Sequence, residues 1–139
     1  GFVYMPQAFI IGVATATACY IAVQVKAAIN FDDSLDAYAV HGVGGTVGAL
    51  LTGALAVPAL VSADYFPKAA ELLEKGGNAA LFGAHLKVVL ISYGFVGIGT
   101  AIILWIVGAT CGLRVTPEQE ERGLDFVAHG EEAYDPMTY

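Results

Sequence analysis

The chain has 139 residues, of which 57% are hydrophobic and only 14% are charged, and its formal net charge is −7. Soluble domains carry about a quarter charged residues, so this composition argues against a soluble globular protein. The acidic balance argues against a nucleic-acid-binding protein. All Asp, Glu, Lys and Arg residues lie in three blocks, at 26–36, 64–87 and 114–135. Each uncharged stretch before or between the blocks is long enough to cross a bilayer as a helix of about 20 residues. The sequence therefore predicts an all-α membrane protein with three transmembrane helices.

The first predicted helix runs from about residue 6 to residue 29. Pro6 suits the opening turn of a helix, where its missing N–H costs nothing. No basic stretch precedes this apolar run, so we do not interpret it as a signal peptide. Because the run begins almost at Gly1, we expect the sequence to be a piece of a longer polypeptide. A short acidic connection follows, which contains Asp32, Asp33 and Asp36.

The second predicted helix, about 37–57, contains one ionisable side chain, His41. An imidazole in hydrocarbon is costly, so it usually faces a pore, a cavity or a partner. Two interpretations remain open on these residues alone. His41 is either a hydrogen-bonded packing residue or a group that takes up and releases protons near neutral pH.

Small residues surround His41 on one helical face. At 100° per residue, this face contains four more positions: Gly44, Gly45, Gly48 and Thr52. Small residues four apart allow two helices to touch, and the same absence of bulk could leave a narrow passage beside the imidazole. Both interpretations stay open, and they are compatible with each other.

The third predicted helix covers about 85–111, and a start near residue 79 is the alternative. It follows a long connection in which residues 66–75 have the pattern of a short amphipathic surface helix ending at Gly76 and Gly77. Residues 1–113 then form the transmembrane region, and residues 114–139 form a polar tail. Cys19 and Cys111 stand alone in apolar stretches, so we expect no metal site, no disulfide and no cofactor. His85 matches no motif, and we expect it to be an interface histidine.

Two motifs carry a resemblance to the ammonium transporter family. The first is the acidic entry 32–36 followed by Val40-His41-Gly42-Val43-Gly44-Gly45, which is similar to the family's penultimate-helix motif. The second lies in the tail and resembles the cytoplasmic tail of bacterial and archaeal members. Its residues include Gly123, Leu124, Asp125, His129, Gly130, Glu131 and Tyr134.

The resemblance implies the last three of eleven transmembrane helices, in a multi-pass protein of the plasma or inner membrane, with the tail in the cytoplasm. It implies a homotrimer with one pore per subunit, in which His41 matches the second of two pore histidines. Ammonium would be deprotonated at the pore entrance, and ammonia and a proton would cross separately. Asp36 would help to order the cytoplasmic loop, and His129 would be a structural or docking residue. The tail would couple subunits and offer a site for a PII-type signalling protein.

The chain departs from the family pattern in two respects. The first pore histidine lies in a helix that this sequence does not contain, and Val127 stands where plant relatives carry a phosphorylatable threonine. We favour ammonium transport as the function, with this chain as part of the transporter, and we do not expect an enzyme. An ammonium sensor that signals through its tail is the alternative. A membrane enzyme or haem carrier is disfavoured, because the sequence shows no catalytic dyad and haem needs a suitably placed axial ligand with room for the macrocycle.

Overall fold

The computed structural model describes residues 1–131 as helices joined by loops, and these residues form no β-strand. They divide into two compact units, one comprising residues 1–94 and the other beginning at Phe95. The α-helices in chain order are α1 (Met5–Ala28), α2 (Val43–Ala54), α3 (Pro67–Thr110), α4 (Pro117–Arg122) and α5 (Leu124–His129). A π-helical turn, Tyr38–Gly42, precedes α2, and a 3₁₀ turn, Pro58–Leu60, follows it.

Helix α1 follows the predicted boundaries closely. Pro6 lies in its opening turn, and the helix is free of charge until Lys26, in its last turn. Ile29 leaves helical geometry and Asn30 has a positive φ of 52°. Asparagine tolerates this left-handed conformation better than most residues, so Asn30 ends the helix and directs the chain into the acidic loop.

The second predicted helix begins with a π-helical turn and is shorter than expected. The Val43 N–H donates to the Tyr38 carbonyl oxygen, five residues back, which widens the backbone before α2. At the other end Leu55 leaves helical geometry, and Pro58 follows soon after. The Asn78 side-chain amide donates to the carbonyl oxygens of Ala54 and Ala56, at 2.7 and 2.8 Å. Helix ends leave carbonyl groups without hydrogen-bond partners. The Asn78 side chain provides a donor for these carbonyl groups where α2 ends.

Helix α3 is interrupted at Gly77, where the backbone has φ 61° and ψ −160°. A side chain is strained in that region, and glycine is not. The interruption falls at the predicted end of the amphipathic segment, and helical structure resumes at once, close to the earlier of the two predicted starts, residue 79. Leu73, before the break, and Leu81, after it, are buried together with Ala56 and Val61. The apolar face of the predicted surface helix therefore packs into a core.

Two helices among residues 1–131 are long and apolar enough to cross a membrane: Met5–Ala28 and Pro67–Thr110. The remaining predicted span coincides with the π-helical turn and α2, whose α-helical part has only 12 residues. That length is below the roughly 17 residues needed to span the bilayer core. The number of transmembrane spans stays a prediction.

In the second unit, α4 begins with a capping box. The Thr116 hydroxyl accepts from the Gln119 N–H, and the Gln119 side chain accepts from the Thr116 N–H. Arg114 pairs with Glu120 at 3.1 Å. These reciprocal bonds satisfy N–H groups that a helix start leaves free, so a six-residue helix forms where the sequence predicts a helix start.

Candidate functional site

His41 lies in the π-helical turn, with its side chain exposed in the described chain, while Ala39 in the same turn is buried. A π-helical turn is rare and often marks a functional site. In this turn the backbone departs from α-helical spacing at the residues around the imidazole. This departure makes the neighbourhood of His41 the first candidate site.

The small-residue face next to His41 has two different surroundings. Gly44 is buried, and a Cβ atom there would lie 2.8 Å from the Cys19 sulfur of α1. Gly45 is exposed, and a Cβ atom there would meet nothing within 4 Å. At Gly48 the nearest atom would be the Thr15 hydroxyl, at 4.0 Å. The side of α2 at Gly44 therefore contacts α1 closely, and the side at Gly45 is open.

Thr52, the last member of this face, is partly buried, and its hydroxyl donates to the Gly48 carbonyl oxygen at 2.7 Å. This bond to the preceding turn satisfies the hydroxyl within the helix. Thr52 therefore contributes little polarity to the open side.

Helix α3 contacts the turn that carries His41 through the Tyr93 hydroxyl. This hydroxyl lies 2.8 Å from the Thr46 hydroxyl and 3.2 Å from the Gly42 carbonyl oxygen. The Thr46 hydroxyl itself donates to the Gly42 carbonyl oxygen at 2.7 Å. We call Tyr93, Thr46 and the Gly42 carbonyl the hydroxyl bridge. On Gly42 itself a Cβ atom would lie 2.9 Å from the Tyr38 ring, so glycine is required there by close packing.

The acidic loop fixes the start of the same turn. The Asp33 carboxylate accepts from the N–H groups of Ala37 and Tyr38, at 2.9 and 3.0 Å. A carboxylate at a helix N-terminus satisfies free N–H groups and interacts favourably with the helix dipole. Lys26 at the end of α1 forms a salt bridge with Asp36 and donates to the Asp33 carbonyl oxygen at 2.6 Å. The loop thus connects α1 to the helix of His41 through charged groups.

Asp32, the third acidic residue named in the loop, is exposed. A cavity of about 310 Å³ lies between the end of α1, the loop and the π-helical turn. Its lining is mostly apolar, and Lys26 and Asp33 contribute the charged groups. His41 is not among its lining residues, so this cavity is separate from the open surface at Gly45.

The predicted tail residues fall in and around α5. Leu124, Asp125 and His129 lie in the helix, and Gly123 and Gly130 flank it with positive φ values of 84° and 70°. The Gly130 N–H donates to the Phe126 carbonyl oxygen at 2.9 Å at the end of the helix. The Glu131 backbone N–H donates to the Asp125 carbonyl oxygen at 3.4 Å. Tyr134 lies outside the described residues.

An exposed carboxylate in the tail has a shifted pKa. The pKa of Glu118 lies below its ordinary value, chiefly because its own backbone N–H donates to the carboxylate, and secondly because of a hydrogen bond with Thr116. Both bonds favour the charged form. Arg122 lies 5.6 Å from the centre of the Phe126 ring, a cation–π distance that joins α4 to α5.

Comparison with known sequences identifies the family. The profile of the Ammonium Transporter Family matches residues 1–134. An ammonium transporter of Bacillus subtilis is 38% identical over 135 residues, which cover 96% of this chain and 32% of the relative. An ammonium transporter of Mycobacterium tuberculosis is 38% identical over 128 residues, which cover 92% of this chain and 27% of the relative. An ammonium transporter of Aquifex aeolicus is 37% identical over 143 residues, which cover 97% of this chain and 30% of the relative.

The chain belongs to the Ammonium Transporter Family. It spans about a third of the length of these curated relatives. No solved structure gives a significant match to it. The family is one of integral membrane transporters, which agrees with the two long apolar helices.

Sequence analysis of this ammonium transporter family member missed several residues around His41. Tyr93 and Cys19 each contact the π-helical turn or α2 from another helix, and Lys26 contacts the acidic loop before them. His85, which we expected to be an interface histidine, also contacts α2, since its Nδ1 lies 2.6 Å from the Ala49 carbonyl oxygen. A polar residue in an apolar stretch was the available signal for Tyr93 and His85. The pattern of one helix does not reveal which residue of another helix it meets.

Proposed function

We propose that this chain forms part of an ammonium transporter, in which His41 lines the transport pore. Membership of the Ammonium Transporter Family supports the substrate class. The observation that carries the role of His41 is its position: an ionisable side chain exposed on a π-helical turn, beside the open surface at Gly45. The same open surface supports a narrow passage along this side of α2.

The chemistry of imidazole suits proton transfer from ammonium. A neutral imidazole has one donor and one acceptor nitrogen, and its ordinary pKa near 6.5 allows it to gain or lose a proton near neutral pH. In this mechanism the N–H bond of ammonium breaks, and the proton passes to the relay that includes His41. Ammonia then crosses as the neutral base, which avoids the large cost of moving a charge through a medium of low dielectric constant.

The topology we propose places the acidic connection, residues 26–36, and the tail on the cytoplasmic side of the membrane. Lys26, Asp33 and Asp36 form charged contacts there, as suits a loop at an aqueous boundary. The helices α4 and α5, with Leu124 and Phe126 half exposed, provide an apolar surface that would dock on the cytoplasmic face. We propose further that subunits assemble as a homotrimer, that the tail couples them, and that a PII-type signalling protein binds on this side.

Transport measurements on the full-length protein test the role of His41. In proteoliposomes, His41→Ala is expected to change the ammonium-evoked current and the uptake of labelled methylammonium. The general range for loss of a positioned acid–base group is about 10²-fold or more. The control is His129→Ala, which removes an imidazole from α5. Transport by His41→Ala that equals the wild type and the control in both measurements would contradict the proposal.

A further inference from the structure

The π-helical turn that carries His41 needs support from outside its own helix. Such turns are rare and occur mostly as single turns inside α-helices. If the turn relaxed to α-helical geometry, it would contain one residue fewer. The residues before it would then rotate by about 100° relative to α2. His41 would then point in another direction. The direction of the imidazole therefore depends on whichever contacts hold the π-helical geometry.

The hydroxyl bridge lies at the carbonyl group next to His41. In the consistent hydrogen-bond scheme, Thr46 donates to the Gly42 carbonyl oxygen and Tyr93 donates to the Thr46 oxygen, with a longer contact to the same carbonyl. The Gly42 carbonyl is the last of the turn. This carbonyl belongs to the peptide group between Gly42 and Val43, so only the Cα atom of Gly42 separates it from the peptide group that joins His41 to Gly42.

Packing between α2 and α3 places Tyr93 at this point. His85, which lies two helical turns before Tyr93, contacts the Ala49 carbonyl oxygen. A Cβ atom on Gly53 would lie 3.1 Å from both Phe82 and His85, so the two helices pack closely there. Both helices repeat every 3.6 residues. The contact two turns further along α3 than His85 is therefore expected two turns earlier along α2 than Ala49. Tyr93 and Gly42 satisfy this spacing.

We propose that Tyr93 is a positioning residue for His41, which acts through Thr46 and the Gly42 carbonyl to hold the π-helical turn. This inference rests on the proposed role of His41 in the pore. Loss of the hydroxyl leaves the Thr46 oxygen without its donor from α3, and the turn shifts toward α-helical geometry. One neutral hydrogen bond changes such an equilibrium by about fivefold.

Tyr93→Phe tests the inference in the full-length protein, because it removes one oxygen and keeps the ring. The readout is the charge moved per labelled methylammonium taken up, in proteoliposomes. A loss of folded protein lowers current and uptake together and leaves this ratio unchanged. A misplaced imidazole changes the ratio. We expect Tyr93→Phe to shift the ratio from the wild-type value toward that of His41→Ala.

Tyr20→Phe is the matched control, since it removes the same oxygen from an exposed position on α1. Thr46→Val removes the other hydroxyl of the bridge, and it should shift the ratio in the same direction. The double variant should shift it no further than either single variant. A ratio for Tyr93→Phe that equals the wild-type ratio, while His41→Ala changes it, overturns the inference alone. An unchanged ratio and rate in His41→Ala would instead overturn the proposed function.

Discussion

Gly44 provides a quantitative test of the packing between α1 and α2. In Gly44→Ala the new Cβ atom would lie 2.8 Å from the Cys19 sulfur, well inside the 3.4 Å at which ordinary contact begins. The sulfur also lies 3.5 Å from the Val40 carbonyl oxygen, so rotating it away loses that contact. Either the helices separate or Cys19 changes rotamer.

The expected free-energy change combines two opposing effects. Overpacking costs about 1–3 kcal/mol, and replacing a helical glycine with alanine returns about 0.5–1 kcal/mol. We therefore expect Gly44→Ala to lower the free energy of unfolding by about 1 kcal/mol. Gly45→Ala makes the same chemical change one residue later, where no atom lies within 4 Å of the new Cβ. It should raise stability by about 0.5–1 kcal/mol.

A double-mutant cycle identifies the cause of the loss. Cys19→Ala removes the sulfur that the new methyl group would meet, so Gly44→Ala should cost less in that background, with a coupling energy of about 1 kcal/mol. The assay is reversible unfolding of the full-length protein by a denaturing detergent in mixed micelles. The reasoning is refuted if Gly44→Ala is as stable as Gly45→Ala, or if the cost is the same with and without the Cys19 sulfur.

Two further predictions concern helix starts. Asp33→Ala removes both acceptors of the Ala37 and Tyr38 N–H groups and should lower the free energy of unfolding by about 0.5–2 kcal/mol in the same assay. Asp64→Ala is the control. Equal losses of stability in the two variants would count against the capping role. Since the pKa of Glu118 is lowered in the folded state, its contribution to α4 is complete above its ordinary pKa of 4.5 and is lost as the pH falls through the lowered value. Amide hydrogen exchange of residues 118–122 should accelerate, relative to the intrinsic rate, on acidification in that range, and it should accelerate less in Glu118→Gln. Identical pH dependence in both proteins would refute this assignment.

The elements that sequence analysis predicted well are those fixed by local signals. The uncharged stretch and Pro6 define α1, and the Thr116–Gln119 pair defines the start of α4. Gly76 and Gly77 marked a helix end, and the backbone does break at Gly77. These features depend on neighbouring residues alone, so the sequence contains the information needed to find them.

The features that sequence analysis missed depend on contacts between helices. A 100° projection places Gly44 and Gly45 on one face, but only the position of α1 makes one buried and the other open. The pattern around the π-helical turn also does not show that Tyr93 of α3 contacts the Gly42 carbonyl oxygen. Helical periodicity also does not reveal that the Asn78 side chain bonds to the Ala54 carbonyl oxygen at the end of α2. Such contacts require the three-dimensional arrangement.

A cryo-electron microscopy structure of the full-length protein in lipid nanodiscs tests the pore role of His41 most directly. The account predicts a void beside the imidazole and the Gly45 surface, wide enough for ammonia and enclosed by protein, with the turn at 38–42 still π-helical. An imidazole that contacts lipid acyl chains, or a Gly45 surface filled by side chains with no void, would contradict it.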